Sequence, residues 1–185
     1  QIVKIIGSVI ARLGSKRLAY KNILPYMGEP LARRALRKLQ ESGLFDDVVL
    51  STDSELIART CEIDGVHVIS RPQSLASDDV ASIPVFQHIV DKFPCDLHLN
   101  YNCNFPVCDK SVFKKAIELA EESGESLSVP YAVWAQTVQC LDNYNDPMKI
   151  TAAKFNTDLV HSVDIHTMDD LLAVHRDNQK EFKWK

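Results

Sequence analysis

The chain has 185 residues, 45% of them hydrophobic and 25% charged, which is near the globular average and far from collagen-like or disordered compositions. Its formal charge is −4, so no basic field invites nucleic acid or an anionic membrane surface. No apolar run reaches the roughly 20 residues of a bilayer span. The 5 cysteines are an odd number at irregular gaps, with no C-x-x-C pair, which speaks against a zinc ribbon or a disulfide framework. The expectation is a cytoplasmic domain with reduced thiols.

Apolar and amphipathic stretches alternate along the chain. Ile2 to Ala11 is nearly all apolar and β-branched, as a parallel strand buried on both faces requires. Pro30 opens a helical pattern in which Leu31, Ala35, Leu36 and Leu39 share a face, and Gly43 stops it. The cations Arg33, Arg34, Arg37 and Lys38 then form a solvated face opposite those leucines.

Asp47 to Ser51 reads as a strand, Ser54 to Ile63 as a short helix with Leu56, Ile57 and Cys61 inward, and Val66 to Ile69 as a third strand. A helix is predicted over Asp79 to Lys92, a strand over Asp96 to Tyr101, and a helix over Asp109 to Ser123 with Val112, Phe113, Ala116, Ile117 and Ala120 in one stripe. Leu127 to Val133 is a strand, Trp134 to Asn156 has no clear period, and Thr167 to Arg176 is a last helix with Met168, Leu171 and Leu172 inward. Strands alternating with helices define a three-layer α/β fold with a mostly parallel sheet. Ligands of such sheets bind beyond the carboxyl ends of the strands, so the loops there matter most.

The loop after the first strand, residues 11–22, carries Arg12, Lys16, Arg17 and Lys21 with no acid among them. Gly14 permits close backbone approach, Ser15 supplies a donor, and the cations suit a polyphosphate. The spacing is neither a P-loop nor a dinucleotide fingerprint. A solvated basic loop is the alternative.

Ala11-Arg12, Gly14-Ser15-Lys16-Arg17-Leu18 and Lys21-Asn22-Ile23 resemble the A-R-x-G-S-K-R-[IL]-x-x-K-N-[IL] signature of the acylneuraminate cytidylyltransferase family, the CMP-sialic acid synthetases and their relatives. The likeness runs on through Gly28 to Leu31, Ser42 to Phe45, Val49 to Ser54, Arg71-Pro72, Leu75 to Asp78 and Ser82. It implies a nucleotide-diphosphosugar transferase-like (Rossmann-like) domain over residues 1–185. The implied reaction is transfer of CMP from CTP to an acidic sugar or related small acid, with release of pyrophosphate.

By the same resemblance Arg12, Lys21 and Asp164 are the catalytic candidates, and Ala11, Arg12, Gly14, Ser15, Lys16, Asn22, Arg71 and Ser82 the nucleotide-binding ones. Mg²⁺ is the implied cofactor. CTP and a small acidic acceptor are the implied partners, and a homodimer is implied through the family's arm region.

The chain also departs from that family. Asn102 and Asn104 stand where relatives carry a sugar-binding Gln and a Thr or Asp, so they are candidate substrate-binding residues; a turn before Pro106 explains them equally well. Cys103, with no partner histidine identifiable in sequence, reads as a small semi-buried residue rather than a nucleophile.

Val163 to Leu171 resembles D-x-D-[ST]-x-E-D-L with Asp164 kept and His166 at the second aspartate. Imidazole is a poor Mg²⁺ ligand. Asp164 and the triphosphate would then hold the metal alone, or a softer metal is used, or metal binding is weakened. Thr167 is the expected N-cap of the last helix.

The arm region, about 130–162, is short, and no arginine occurs between Arg71 and Arg176. That leaves Lys149 and Lys154 as candidate point charges for an acceptor carboxylate, with a surface role as the alternative. A degenerate, non-catalytic nucleotide-binding member is the alternative reading for the whole chain.

Overall fold

The computed structural model describes residues 4–14, 17–180 and 182–185. In chain order the elements are β1 (Ile5–Ile10), a 3-10 turn at Lys21–Ile23, β2 (Pro25–Tyr26), β3 (Glu29–Pro30), α1 (Leu31–Ser42), β4 (Asp47–Thr52), α2 (Glu55–Thr60), β5 (His67–Ser70), a second 3-10 turn at Gln73–Leu75, α3 (Ser82–Lys92), β6 (Leu97–Tyr101), α4 (Lys110–Ser123), β7 (Glu125–Val129), β8 (Val133–Thr137), α5 (Val138–Asp142), β9 (Ala153–Asn156) and α6 (Met168–Asp177).

Seven strands make one sheet in the order β5-β4-β1-β6-β8-β7-β9. β5, β4, β1 and β6 pair parallel, as do β7 and β9, whereas β8 runs antiparallel to both its neighbours. The expected three-layer, mostly parallel α/β fold is therefore present. One face buries Ala35, Leu36, Leu39, Phe113 and Ala116 from α1 and α4 against Val9, Leu50 and Leu99. The other packs Ile83, Phe86 and Ile89 of α3 and Leu141 of α5 against Ile6, Val49 and Trp134.

The local reasons are plain in the best-read elements. α1 starts at Leu31 behind Pro30 and ends at Gly43, whose φ of +71° is the left-handed C-cap that glycine adopts without strain. β1 can be continuous because Gly7 lies under the Phe45 ring, where an added Cβ would sit only 3.0 Å from ring carbons.

Several expectations are corrected. The third helix begins at Ser82, not Asp79. Pro84 has no N–H to donate back to Val80, so it tolerates only the first turn. Leu127–Val133 is not one strand: Pro130 cannot continue the ladder, and the Ser128 hydroxyl accepts from Ala132 N–H and Val133 N–H to turn the chain into β8. The stretch without period holds β8, α5 and β9. Leu56 is exposed while Ile57 and Cys61 are buried, and in α6 Leu171 and Val174 face inward with Met168 and Leu172 outside.

The α1 cations are not a free solvated face. Arg33 and Arg37 grip Glu29 at 2.9 and 2.8 Å, Arg34 lies over the Tyr26 ring, and Lys38 donates to the Cys108 carbonyl at 2.5 Å. They fasten α1 to the β2–β3 ribbon and to the loop that follows β6.

Candidate functional site

A cleft of about 230 Å³ opens at the carboxyl ends of β1, β4 and β6. Arg12, Lys21 and Asn22 enter it from the loop after β1, Arg71 from the end of β5, Ser77, Asp78 and Ser82 from the approach to α3, and Asn100, Asn102, Cys103 and Asn104 from the end of β6 and its loop. The parallel strands and their crossovers gather these distant segments because all of the loops emerge at one edge of the sheet.

The described part of the first loop is fixed by polar contacts within it and to neighbouring segments. Leu13 N–H donates to the Asp53 carboxylate at 2.9 Å, and the Asn22 amide donates to the Arg12 carbonyl at 2.9 Å. Arg12 also donates to the Gly14 carbonyl and forms a 2.6 Å ion pair with Asp78. Ala11 is buried and gives its N–H to the Ser51 carbonyl, so it anchors the loop rather than facing the cleft. Gly14 is exposed. Ser15 and Lys16, both candidate phosphate residues, lie outside the described residues.

Lys21 lines the cleft and feels the charges of Cys103 and Asp164. Burial lowers its pKa, and the Cys103 and Asp164 side chains offset part of that shift. A desolvated ammonium is a stronger partner for an anion than one in bulk water. Burial pushes the Cys103 thiol up to about 11, and its S–H donates to Asn22 Oδ1. It is therefore a protonated packing residue in the cleft wall, as the sequence suggested.

Arg71 is 5% exposed and donates to the Ser51 carbonyl, while its Nε has no partner. Burial lowers its pKa, and Asp53 opposes the shift. An unpaired donor buried at a cleft wall is costly unless a ligand completes it. Ser82 is the first residue of α3, so the orphan N–H groups of that helix end at the cleft too.

The loop after β6 is tied largely to itself. Asn102 accepts from Asn104 N–H and donates to the Tyr131 carbonyl, which makes it a turn staple at the cleft edge. The Asn104 carbonyl takes the N–H of Ile165, and so links this loop to the Asp164 segment. Asp164 Oδ2 meets His166 Nε2 at 2.8 Å, and its buried Oδ1 has no partner. Thr167 caps α6 as expected, in a capping box with Asp170.

Several site features escaped the sequence reading. The Arg12–Asp78 ion pair joins residues 66 positions apart, and the Arg17–His166 contact at 3.3 Å joins residues 149 positions apart. Asn100 and Tyr131 form the cleft floor above a buried polar chain: Tyr131 O–H donates to Asn100, Asn100 donates to Ser8, Ser8 meets His98 at 2.7 Å, and His98 meets Gln136 at 2.9 Å. The available signal was a run of polar residues inside strands with no solvent face.

Lys149 and Lys154 do not reach the cleft. Lys149 lines a separate hollow with Tyr144 and Asn145, and Lys154 is exposed on β9. Among the described residues no group of His, Cys, Asp and Glu side chains is large enough to hold a metal ion by itself. None of their helices is long and apolar enough to cross a membrane.

Parallel strands, a basic first loop and a buried arginine with an unpaired donor define an α/β protein with a cleft lined by Arg12, Lys21 and Arg71. The Cytidylyltransferase family profile matches residues 6–183, and the chain belongs to that family. It is 32% identical over 114 residues to the pseudaminic acid cytidylyltransferase of Campylobacter jejuni, covering 58% of this chain and 49% of that one. It is 35% identical over 85 residues to the N-acylneuraminate cytidylyltransferase of Escherichia coli, covering 46% of this chain and 20% of that one. The matches thus span half or less of the length of these relatives.

Among solved structures, a CMP:2-keto-3-deoxy-manno-octonic acid synthetase complexed with CTP superposes with TM-score 0.79 at 14% identity, covering 94% of this chain and 97% of that one. The Rv0371C protein of Mycobacterium tuberculosis H37Rv, in complex with manganese, gives TM-score 0.67 at 14% identity over 92% and 97% of the chains. At those identities the likeness establishes the fold.

Proposed function

We propose that this chain transfers CMP from CTP to a hydroxyl of an acidic sugar or related small acid. The observation that carries this reading is the convergence of Arg12, Lys21 and Arg71 on one cleft in a chain of the cytidylyltransferase family. In the transfer a bond forms between the acceptor oxygen and the α-phosphorus, and the bond from that phosphorus to the bridging oxygen breaks. Pyrophosphate leaves with the bonding pair, and the hydroxyl proton passes to water.

Such a reaction needs positioning and charge neutralisation more than covalent help. Arg12 and Lys21 would hold the phosphates, and Arg71 and Ser82 would surround the base and ribose. Asn22 would act indirectly, since its amide braces the Arg12 carbonyl. Asn104, Asn100 and Tyr131 would face the acceptor, with Asn102 shaping their turn. The relatives' printed names support an acidic sugar as acceptor.

The described residues would offer a divalent metal a single carboxylate oxygen, the unpartnered Asp164 Oδ1, and no described group would hold one by itself. Mg²⁺ bound there would neutralise charge on the phosphates. The same reading includes a homodimer, for which exposed Met148 and Ile150 near edge strand β9 offer apolar surface.

The test is pyrophosphate release from CTP across a panel of acidic sugars. Release that needs both CTP and one acceptor class supports the proposal. Nucleotide binding without release from any acceptor would leave a non-catalytic nucleotide-binding protein.

A further inference from the structure

A file of polar side chains runs through the middle of the sheet to the cleft. Ser8 and Asn100 are register partners across β1 and β6, and His98 and Gln136 are partners across β6 and β8. His98 and Asn100 are two residues apart, so the strand period puts all four side chains on one face. None of them is more than 1% exposed. Polar groups buried together need a full hydrogen-bond account, and this file has a fixed direction.

Asn100 Nδ2 lies 3.3 Å from the Ser8 carbonyl and 3.2 Å from Ser8 Oγ. A carbonyl only accepts, so the amide nitrogen is on that side and Oδ1 is the atom facing Tyr131. Tyr131 O–H donates to that oxygen at 3.4 Å, and burial raises the phenol's pKa, so its hydrogen stays. Ser8 Oγ accepts from Asn100 and gives its own hydrogen to His98 Nε2 at 2.7 Å. His98 Nδ1–H then donates to Gln136 Oε1 at 2.9 Å. Burial keeps that imidazole neutral, with its pKa lowered to about 4.

At the cleft the result is a floor with no hydrogen to give. Tyr131 and Asn100 both line it, their hydrogens are committed to the file, and each side-chain oxygen keeps a lone pair. Arg12, Lys21 and Arg71 of the same cleft have the opposite character and can only donate.

We infer that Tyr131 and Asn100 determine specificity for the acceptor: their oxygens take it through an N–H or O–H group and reject a carboxylate, ether or carbonyl oxygen at that spot. The acceptor's carboxylate is thereby left to the cations. Ser8, His98 and Gln136 are positioning residues that hold the floor in this sense. The inference rests on the transfer reading above and adds which kind of group on the acceptor is read.

Two measurements test it. In the ¹⁵N-labelled full chain, long-range ¹H–¹⁵N NMR spectra should show His98 as the Nδ1–H tautomer with a bare Nε2. An Nε2–H tautomer reverses the file and overturns the inference. The second measurement uses an N-acylneuraminate and 2-keto-3-deoxy-manno-octonate as acceptors. Whichever supports pyrophosphate release is compared with analogues in which one hydroxyl or amide group at a time is replaced by hydrogen.

One such replacement should cost wild type at least about tenfold in kcat/KM, and Tyr131→Phe less than about threefold. The KM for CTP should be the same in both proteins. Equal losses in the two proteins at every position, or none in either, overturn the inference. A CTP-over-UTP preference lost in Tyr131→Phe would put the base's amino group on the floor, and overturns the acceptor assignment. Release from no acid in the presence of CTP removes the transfer reading itself, whatever the tautomer.

Discussion

Arg12 and Asp78 form a 2.6 Å ion pair at the cleft, each side chain about one-third exposed. Asp78 is an internal anion on a cation that the nucleotide reading assigns to phosphate. Partial exposure limits the pair to about 1 kcal/mol, so a triphosphate can displace it. Asp78→Asn should therefore tighten CTP binding by about threefold to fivefold, measured by calorimetry. Weaker binding in that variant would mean Asp78 contacts the nucleotide instead of competing with it.

Lys21 and Arg71 should behave differently from surface cations. Lys21→Ala and Arg12→Ala are each expected to weaken nucleotide binding more than about tenfold, because each removes a charge-assisted phosphate contact. Arg71→Lys should cost a similar factor, since an ammonium cannot keep the Ser51 carbonyl bond and also present the donor that Nε now holds unpaired. Titration of CTP into the three variants decides it; unchanged affinity in all of them would make the cleft only a surface.

The sequence revealed the crossover pattern and the first loop because both rest on local signals. β-branched runs, helical stripes and capping residues mark elements within about ten positions, and α1 and α4 were legible to within a residue or two. The arm was not. β8 carries Trp134 and Gln136, which are buried by partners distant in sequence (Phe86 of α3 and His98 of β6), and β9 pairs with β7 across a gap of more than twenty positions. The Arg12–Asp78 and Arg17–His166 contacts were illegible for the same reason, because topology and not spacing brings them together.

The buried His98 gives the fold a pH signature. Burial lowers its pKa to about 4 from the ordinary 6.5, with the Gln136 hydrogen bond opposing the shift. Between those values the unfolded chain binds a proton that the folded chain does not. Stability should thus fall as pH drops from about 6.5 towards 4, by about 3 kcal/mol in total, and level off below. Urea unfolding at a series of pH values measures this, and His98→Asn should flatten that part of the profile.

Glu125 ties the short arm to the sheet. It is 2% exposed and accepts from Trp134 Nε1 at 2.6 Å, Tyr144 O–H at 2.9 Å and Thr151 O–H at 2.5 Å. Glu125→Ala should destabilise the protein by about 3 kcal/mol, because these buried donors lose their acceptor. Glu125→Gln, which keeps an acceptor oxygen, should cost less. Equal midpoints for both variants in urea would show that the network contributes little.

The central claim is that the cleft at the ends of β1, β4 and β6 is a cytidine triphosphate site. A thermal-shift comparison of CTP, UTP, ATP and GTP, each with and without Mg²⁺, addresses it most directly. A ligand at 100 times its dissociation constant stabilises the native state by about 2.7 kcal/mol, a visible rise in Tm at this chain length. The expected result is a shift selective for CTP and cut by about half or more in Lys21→Ala. No shift with any nucleotide, or the same shift in Lys21→Ala as in wild type, would contradict the claim.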